Sequence, residues 1–373
     1  MATPCWAEPV LLAHRLARPL TQARSAVERG MTSVEQRIDA WAHRRLERLP
    51  TDGPRAWLVE LVVFTLKQAW ACLFGALLLA AILATRLWYP ADAPLARNDA
   101  LTLVAVAIQV LMLATRLETA REMRVILLFH VVGTAMEVFK TDAGSWSYAS
   151  GGVLAIGAVP LFSGFMYGAV GSYLARVMRI FDLRFDRYPR RWLTALLAGA
   201  IYANFFTHHW WWDARWLLVA AVVVLYGRCV MHFRVLTRVR RMPVLVAFVL
   251  VSGVIWIAEN LGTLAGAWLY PAQAAGWHLV SVHKLVAWFL LMLISVVLVA
   301  WLHVPRPPDE RTRDVSAQAP GPRERRAETS TATTPAARTT NSPPITNVAG
   351  PPLRGPGSMV GSADGVGSTC GDG

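Results

Sequence analysis

One pattern occurs twice in this chain, and each copy places a carboxylate inside an apolar segment. Glu137 is followed by Gly144, Trp146 and Tyr148, and Glu259 by Gly266, Trp268 and Tyr270. Both copies read Glu-x6-Gly-x-Trp-x-Tyr and are offset by 122 residues, 137 to 259. A carboxylate at membrane depth is costly and marks a functional site by default. Repeating it in one frame predicts an internally duplicated membrane protein with a site between its halves.

Composition supports the membrane reading. The chain is 55% hydrophobic and 16% charged, with mean hydropathy +0.39. Apolar runs such as LFGALLLAAILA (73–84) and LVSGVIWIA (250–258) recur along the middle. Runs approaching the ~20 residues that cross ~30 Å of hydrocarbon read as transmembrane helices. The net charge of +13 does not argue for nucleic acid, because the arginines concentrate in alternate loops. No zinc-finger or RNA-binding motif accompanies them. Cys5, Cys72, Cys229 and Cys370 are scattered, which supports neither a disulfide framework nor a cysteine zinc site. The first 50 residues lack a compact apolar core of the signal-peptide type, so the first membrane helix is expected to be an uncleaved anchor.

Three segments follow: a cytoplasmic amphipathic N-terminal segment (1–56), a transmembrane bundle (57–303) and a disordered cytoplasmic tail (304–373). In the first, Val27, Met31, Val34, Ile38 and Trp41 recur at helical steps, predicting an amphipathic helix over ~22–48. Its basic flank suits an anionic membrane surface or a partner helix. The tail is rich in Pro, Ser, Thr, Ala and Gly and buries too little apolar surface to order. Between them the fold expected is an all-α polytopic bundle of eight helices, near 59–85, 99–116, 123–139, 153–177, 192–208, 214–233, 243–265 and 280–302. Arginine clusters at 116–124, 176–191 and 234–242 alternate with basic-poor loops near 86–98, 140–152, 209–213 and 266–279. That alternation predicts both termini in the cytoplasm. The third and seventh helices then run in the same direction, so the duplication is a parallel one of four-helix halves. Each motif falls in an outer loop, where Trp and Tyr commonly anchor at the interface.

Other polar residues fall on the same side. Asn204, His208, His209 and Asp213 bracket the end of the fifth helix, with Trp210, Trp211 and Trp212 between them. Lys140 lies three residues after Glu137, a spacing that allows an ion pair on one helix face. Lys284 opens the eighth helix after His278 and His283, and His130 lies deeper on the face of Glu137. Lys67, Lys140 and Lys284 are the only lysines among 37 Lys and Arg, so a compact ammonium is expected where they stand. Three chemistries compete for this set. The candidate catalytic residues are Glu137, Glu259, Lys140, Lys284 and Asp213, with the glutamates as acid and base on a lipid-phase substrate. His130, His208 and His209 are candidate Zn or Fe ligands, although no tight ligand spacing supports them. Glu137–Lys140 and Glu259–Lys284 are alternatively structural ion pairs or parts of an ion or proton path. In the fourth helix, Pro160, Ser163, Gly164, Gly168, Gly171 and Ser172 permit close helix packing, and Pro160 is expected to kink it.

The stretches HVVGTAMEVFKTDAGSWSY (130–148), VPLFSGFMYGAVGSYLARVMRIFDLRF (159–185), YANFFTHHWWWDAR (202–215) and IWIAENLGTLAGAWLYPAQAAGW (255–277) resemble the bacterial integral-membrane family known as domain of unknown function 817. The resemblance spans residues ~57–303 and implies a multi-pass inner-membrane protein without assigning an activity. In architecture alone, duplicated helices with embedded glutamates are similar to small carotenoid cyclases and hydratases. Their Pro-x-Glu-Glu type motif is missing around Glu137 and Glu259. The expectation is an inner-membrane protein with the bilayer and a lipid-phase or small-molecule substrate as partners. Acid–base action on a lipid or isoprenoid leads; a transporter or a non-catalytic scaffold are the alternatives.

Overall fold

In the computed structural model, which describes residues 31–46, 53–235 and 239–309, the chain is mostly helical. The described residues fall in one unit, Met1–Ala319. The elements are α1 Ser33–Leu46, α2 Pro54–Ala71, α3 Leu73–Trp88, α4 Arg97–Ala114, α5 Ala120–Asp142, β1 Ala155–Ile156, β2 Val159–Pro160, α6 Phe162–Ile180, β3 Arg184–Asp186, α7 Arg191–Thr207, α8 Arg215–Tyr226, β4 Val230–Arg234, β5 Val239–Pro243, α9 Val244–Leu264, the short 3₁₀ turn Pro271–Gln273, and α10 His283–Leu302. Three of these, α4, α9 and α10, are long and apolar enough to cross a membrane; α2 and α3 make a fourth candidate if taken together. Val246, Val249 and Ile257 on α9 are exposed, as side chains facing lipid are. This is a helical membrane protein.

Several boundaries depart from expectation. The segment 59–85 is not one helix but α2 and α3, bent by 67° at Cys72. The segment 214–233 ends as a helix at Tyr226 and turns into β4. At ~1.5 Å per residue, the 12-residue α8 is too short to cross ~30 Å. The arginine-rich connections, expected as plain loops, form an antiparallel sheet in the order β3-β4-β5. Pro160 does not kink a helix. It lies in β2, and α6 begins after it at Phe162. The reason is local: Asp99 accepts the Val153 and Leu154 backbone N–H groups, and Leu161 N–H donates to Leu154 O. Residues 153–161 are therefore pinned as a hairpin. The N-terminal part of the expected 22–48 helix and the tail beyond 309 lie outside the described residues.

The small residues of α6 act in packing. A Cβ on Gly164 would sit 2.5 Å from the His130 ring, and one on Gly133 would sit 2.3 Å from the Tyr167 ring. Glycine at both positions lets α5 and α6 approach and leaves room for Tyr167 between them. α5 is about 34 Å long at ~1.5 Å per residue, close to the hydrocarbon thickness. Its two ends carry different polar machinery.

At the N-terminal end of α5, Thr119 and Glu122 form a capping box. Glu122 also accepts from Arg179, whose remaining nitrogens form a fork on Glu35 at 3.0 and 2.7 Å. Arg176 donates to Trp70 O at 3.0 Å and pairs with Glu118. These buried charges tie α1 to α5 and α6. Charges taken out of water need such partners, and removing one strands the others. Arg179→Met is expected to cost about 3–5 kcal/mol in unfolding free energy and to release α1 to limited proteolysis. Burial alone would raise the Glu35 carboxyl; the Arg179 hydrogen bonds and charge outweigh it and hold Glu35 below its ordinary 4.5. A depressed carboxylate stabilises fully above the ordinary range and loses that contribution as pH falls through its lowered value. Acid should therefore loosen α1, read as cleavage within α1 that rises as the pH is taken down from 4.5 and is unchanged at pH 7.

Candidate functional site

The motif glycines end α5 and α9 in the same way. Gly144 has φ 70° and Gly266 φ 64°. Ser145 N–H donates to Lys140 O and Gly144 N–H to Thr141 O; Ala267 donates to Gly262 O and Gly266 to Thr263 O. This is the Schellman closure, and it requires a left-handed residue that glycine adopts without strain. The turn aims each following Trp-x-Tyr back across its own helix end. The two Trp-x-Tyr segments then pair with each other. Ser147 N–H donates to Leu269 O and Leu269 N–H to Ser147 O, both at 2.9 Å. Ser147 and Leu269 hold the same position in the two copies.

The motif aromatics turn inward instead of anchoring at the interface. Trp146 Nε1 and the Tyr148 hydroxyl donate to Glu137 Oε2 at 2.8 and 2.7 Å, and the Tyr167 hydroxyl donates to Oε1 at 2.7 Å. At Glu259, the Tyr270 hydroxyl donates to Oε1 and Trp288 Nε1 to Oε2, the latter at 2.7 Å. Each carboxylate is thus held by its own loop and by the next helix. The copies differ in one respect: Trp268 packs over Gly262 and leaves the indole position to Trp288. Tyr167 and Trp288 were not singled out from the sequence. Their signal was present, because they lie 30 and 29 residues after their glutamates, one step out of frame.

Two lysines complete the centre. Lys284 Nζ lies 4.3 Å from the Tyr270 ring centroid and 5.5 Å from that of Trp146, between the two copies. Lys140 turns away from the expected pair with Glu137. Its Nζ lies 3.0 Å from His209 Nε2 and 5.8 Å from the Phe205 centroid. Burial and the Lys140 charge lower the pKa of both His208 and His209, which favours neutral rings.

Glu137, Lys140, His208, Glu259 and Lys284 line one cavity of about 840 Å³. The other candidates stand apart from its wall. Asp213 accepts from the Asn204 amide and from Arg215 N–H at 3.1 and 3.0 Å, which organises the turn into α8. Burial would raise its carboxyl, but these donors and the Arg215 charge lower it overall. His130 packs edge-on against Phe165. Among the described residues no group of three His, Cys, Asp or Glu could hold a metal ion; His208 and His209 stack at 4.3 Å without His130. Trp210, Trp211 and Trp212 are 71%, 81% and 75% exposed, an outward aromatic edge beside the site.

Residues 60–296 match the family described as "Protein of unknown function (DUF817)". The chain belongs to this family. A relative in Bacillus subtilis (strain 168), named "Uncharacterized protein YoaT", is 41% identical over 243 residues, covering 65% of this chain and 91% of YoaT. Among solved structures, a cross-linked trimer of MvINS is 16% identical, covering 52% of this chain and 98% of MvINS with a TM-score of 0.39. MvINS of Mycobacterium vanbaalenii, titled a mycobacterial Insig homolog, is 15% identical, covering 51% and 98% with a TM-score of 0.38. Scores below 0.5 do not establish a shared fold. Both motifs and both lysines fall inside the DUF817 stretch, whereas α1 lies before it.

The clasp predicts unequal effects of neutralisation. Hydrogen bonds to a charged group contribute about 1.5–3 kcal/mol each. Glu137 accepts three and Glu259 two. Glu137→Gln should therefore lower the thermal midpoint of the detergent-solubilised protein more than Glu259→Gln does. Equal or reversed shifts in a melting assay would contradict this assignment.

Proposed function

We propose that this protein holds an extended lipid or isoprenoid in its membrane-embedded cavity and acts on it by acid–base chemistry at Glu137 and Glu259. The carrying observation is the cavity itself. Val244, Phe248, Val251, Ile255 and Glu259 mark its wall along α9. That span is about 22 Å at ~1.5 Å per residue, longer than the ~15 Å of one leaflet's hydrocarbon. The volume lies within the ~300–1,000 Å³ of small-molecule sites. The wall is apolar along this length and polar at the end where both glutamates stand. A long apolar molecule with a reactive end matches that distribution.

In this reading the phenols take part with the carboxylates. A Tyr hydroxyl both donates and accepts, so a Glu–Tyr pair can pass a proton between the carboxylate and the cavity. Tyr148, Tyr167 and Tyr270 line the cavity beside their glutamates. We further propose a parallel internal duplication, residence in the bacterial inner membrane and both termini in the cytoplasm. The reciprocal Ser147–Leu269 pairing at equivalent positions supports the duplication, and the arginine distribution supports the orientation.

Mass spectrometry of lipids extracted from purified protein tests binding. Wild type should carry a near-stoichiometric lipid, and Ala247→Trp, which fills the cavity from α9, should carry several-fold less. Wild type without lipid would sink the binding reading. Glu137→Gln and Glu259→Gln should alter the cell's lipid or pigment profile; an unchanged profile would remove the acid–base step. Solute or proton flux in liposomes that is lost in the Gln variants would establish a transporter instead.

A further inference from the structure

The cavity's polar end holds Lys140, Lys284 and Arg215 beside its two glutamates. Among the described residues, Lys284 Nζ has no hydrogen bond or ion pair; only aromatic faces meet it. Lys140 and Arg215 line the same cavity and lie within electrostatic reach of Lys284 and of each other. Arg215 is shared with Asp213 at 3.2 Å. The two glutamates face this cluster, and Glu259 attracts Lys284, but among the described residues the side-chain hydrogen bonds they accept come from Tyr and Trp and not from the lysines. His208 and His283 also face the cavity.

Two helix starts add to the field. α10 begins at His283 and α8 at Arg215, both on the cavity wall. A helix N-terminus presents unpaired N–H groups and the positive end of its dipole. An ammonium is a compact point charge with three donors that reorient freely, which suits a tetrahedral or trigonal oxyanion. The aromatic faces around Lys284 hold the charge without neutralising it.

We propose that this end of the cavity is an oxyanion site, in which Lys284, Lys140 and Arg215 take the phosphate or carboxylate head of an amphiphile whose chain lies along α9 and α10. The proposal rests on the cavity reading above and deepens it by naming the head group. α10 continues the chain's path through Ala287, Leu291, Met292, Val296 and Val299. A neutral lipid would leave the three donors of the Lys284 ammonium without an anionic acceptor. A free anion would leave the apolar length unfilled.

Binding of farnesyl phosphate, farnesol and inorganic phosphate to the full-length protein in detergent separates head from chain. Farnesyl phosphate should bind at least tenfold more tightly than farnesol, and inorganic phosphate should compete only weakly. Lys284→Met should abolish the tenfold preference while farnesol binding persists, and Lys284→Arg should retain most of it. Retained farnesol binding shows that the variant is folded. Equal affinity of wild type for farnesol and farnesyl phosphate would overturn the proposal and leave the cavity reading intact. So would a preference that survives Lys284→Met combined with Lys140→Met. Inorganic phosphate competing as strongly as farnesyl phosphate would replace the amphiphile with a free anion. Failure of both farnesyl compounds to bind would overturn the cavity reading as well.

Discussion

A carboxylate away from water must receive its hydrogen bonds from the protein, and much of the arrangement at this end of the chain follows from that requirement. Glu137 and Glu259 cannot be satisfied by their own helices, whose N–H groups are committed to the backbone ladder. Donors must come from elsewhere. The Schellman turns at Gly144 and Gly266 bring them from the loops, and α6 and α10 bring them from the next helix. Gly133 leaves the space in which Tyr167 reaches Glu137, and Arg97 supports the second turn by donating to Ala265 O and Gly266 O. Glycine, tyrosine, tryptophan and arginine at these positions thus share one cause.

The opposite end of α5 solves a related problem with charges. Arg176 and Arg179 meet Glu118, Glu122 and Glu35 in a buried network, and the N-terminal helix is attached through it. A second sheet, built from the arginine-bearing strands β3, β4 and β5, lies in the connections near that end. Charge is therefore concentrated at the two ends of α5, and the apolar cavity lies between them.

The sequence made some of this readable. The repeat at Glu137 and Glu259 showed where the centre lies, and three-to-four residue spacing of small side chains in 163–172 showed where helices approach. Apolar length located α4, α9 and α10. It failed at Cys72, because composition is uniform across the break and carries no sign of the 67° bend. It failed at 230–243, where the strands VMHFR and VRRMP contain arginines that read equally well as a loop. Within the site, Lys140 was placed by helical spacing beside Glu137, yet three-dimensional proximity to His209 decided its partner. The Trp and Tyr residues were legible as interfacial anchors from their position in outer loops. Their inward hydrogen bonds depend on the left-handed turn at glycine, which spacing alone does not convey. Tyr167 and Trp288 escaped notice because one fell a single residue outside the repeat's frame.

The pairing of Ser147 with Leu269 makes the two carboxylates mechanically interdependent. Tyr148 follows Ser147 directly, and Tyr270 follows Leu269, so each backbone partner is adjacent to a hydroxyl that holds a glutamate. Trp146 also packs edge-on against Tyr270 at 6.1 Å, and Lys284 spans the two rings. Residues joined through shared contacts of this kind do not contribute additively. Change at either motif is consequently constrained: an altered loop at one displaces the donors at the other. The two motifs thus form a single element with two acidic groups, and not two sites that happen to face each other.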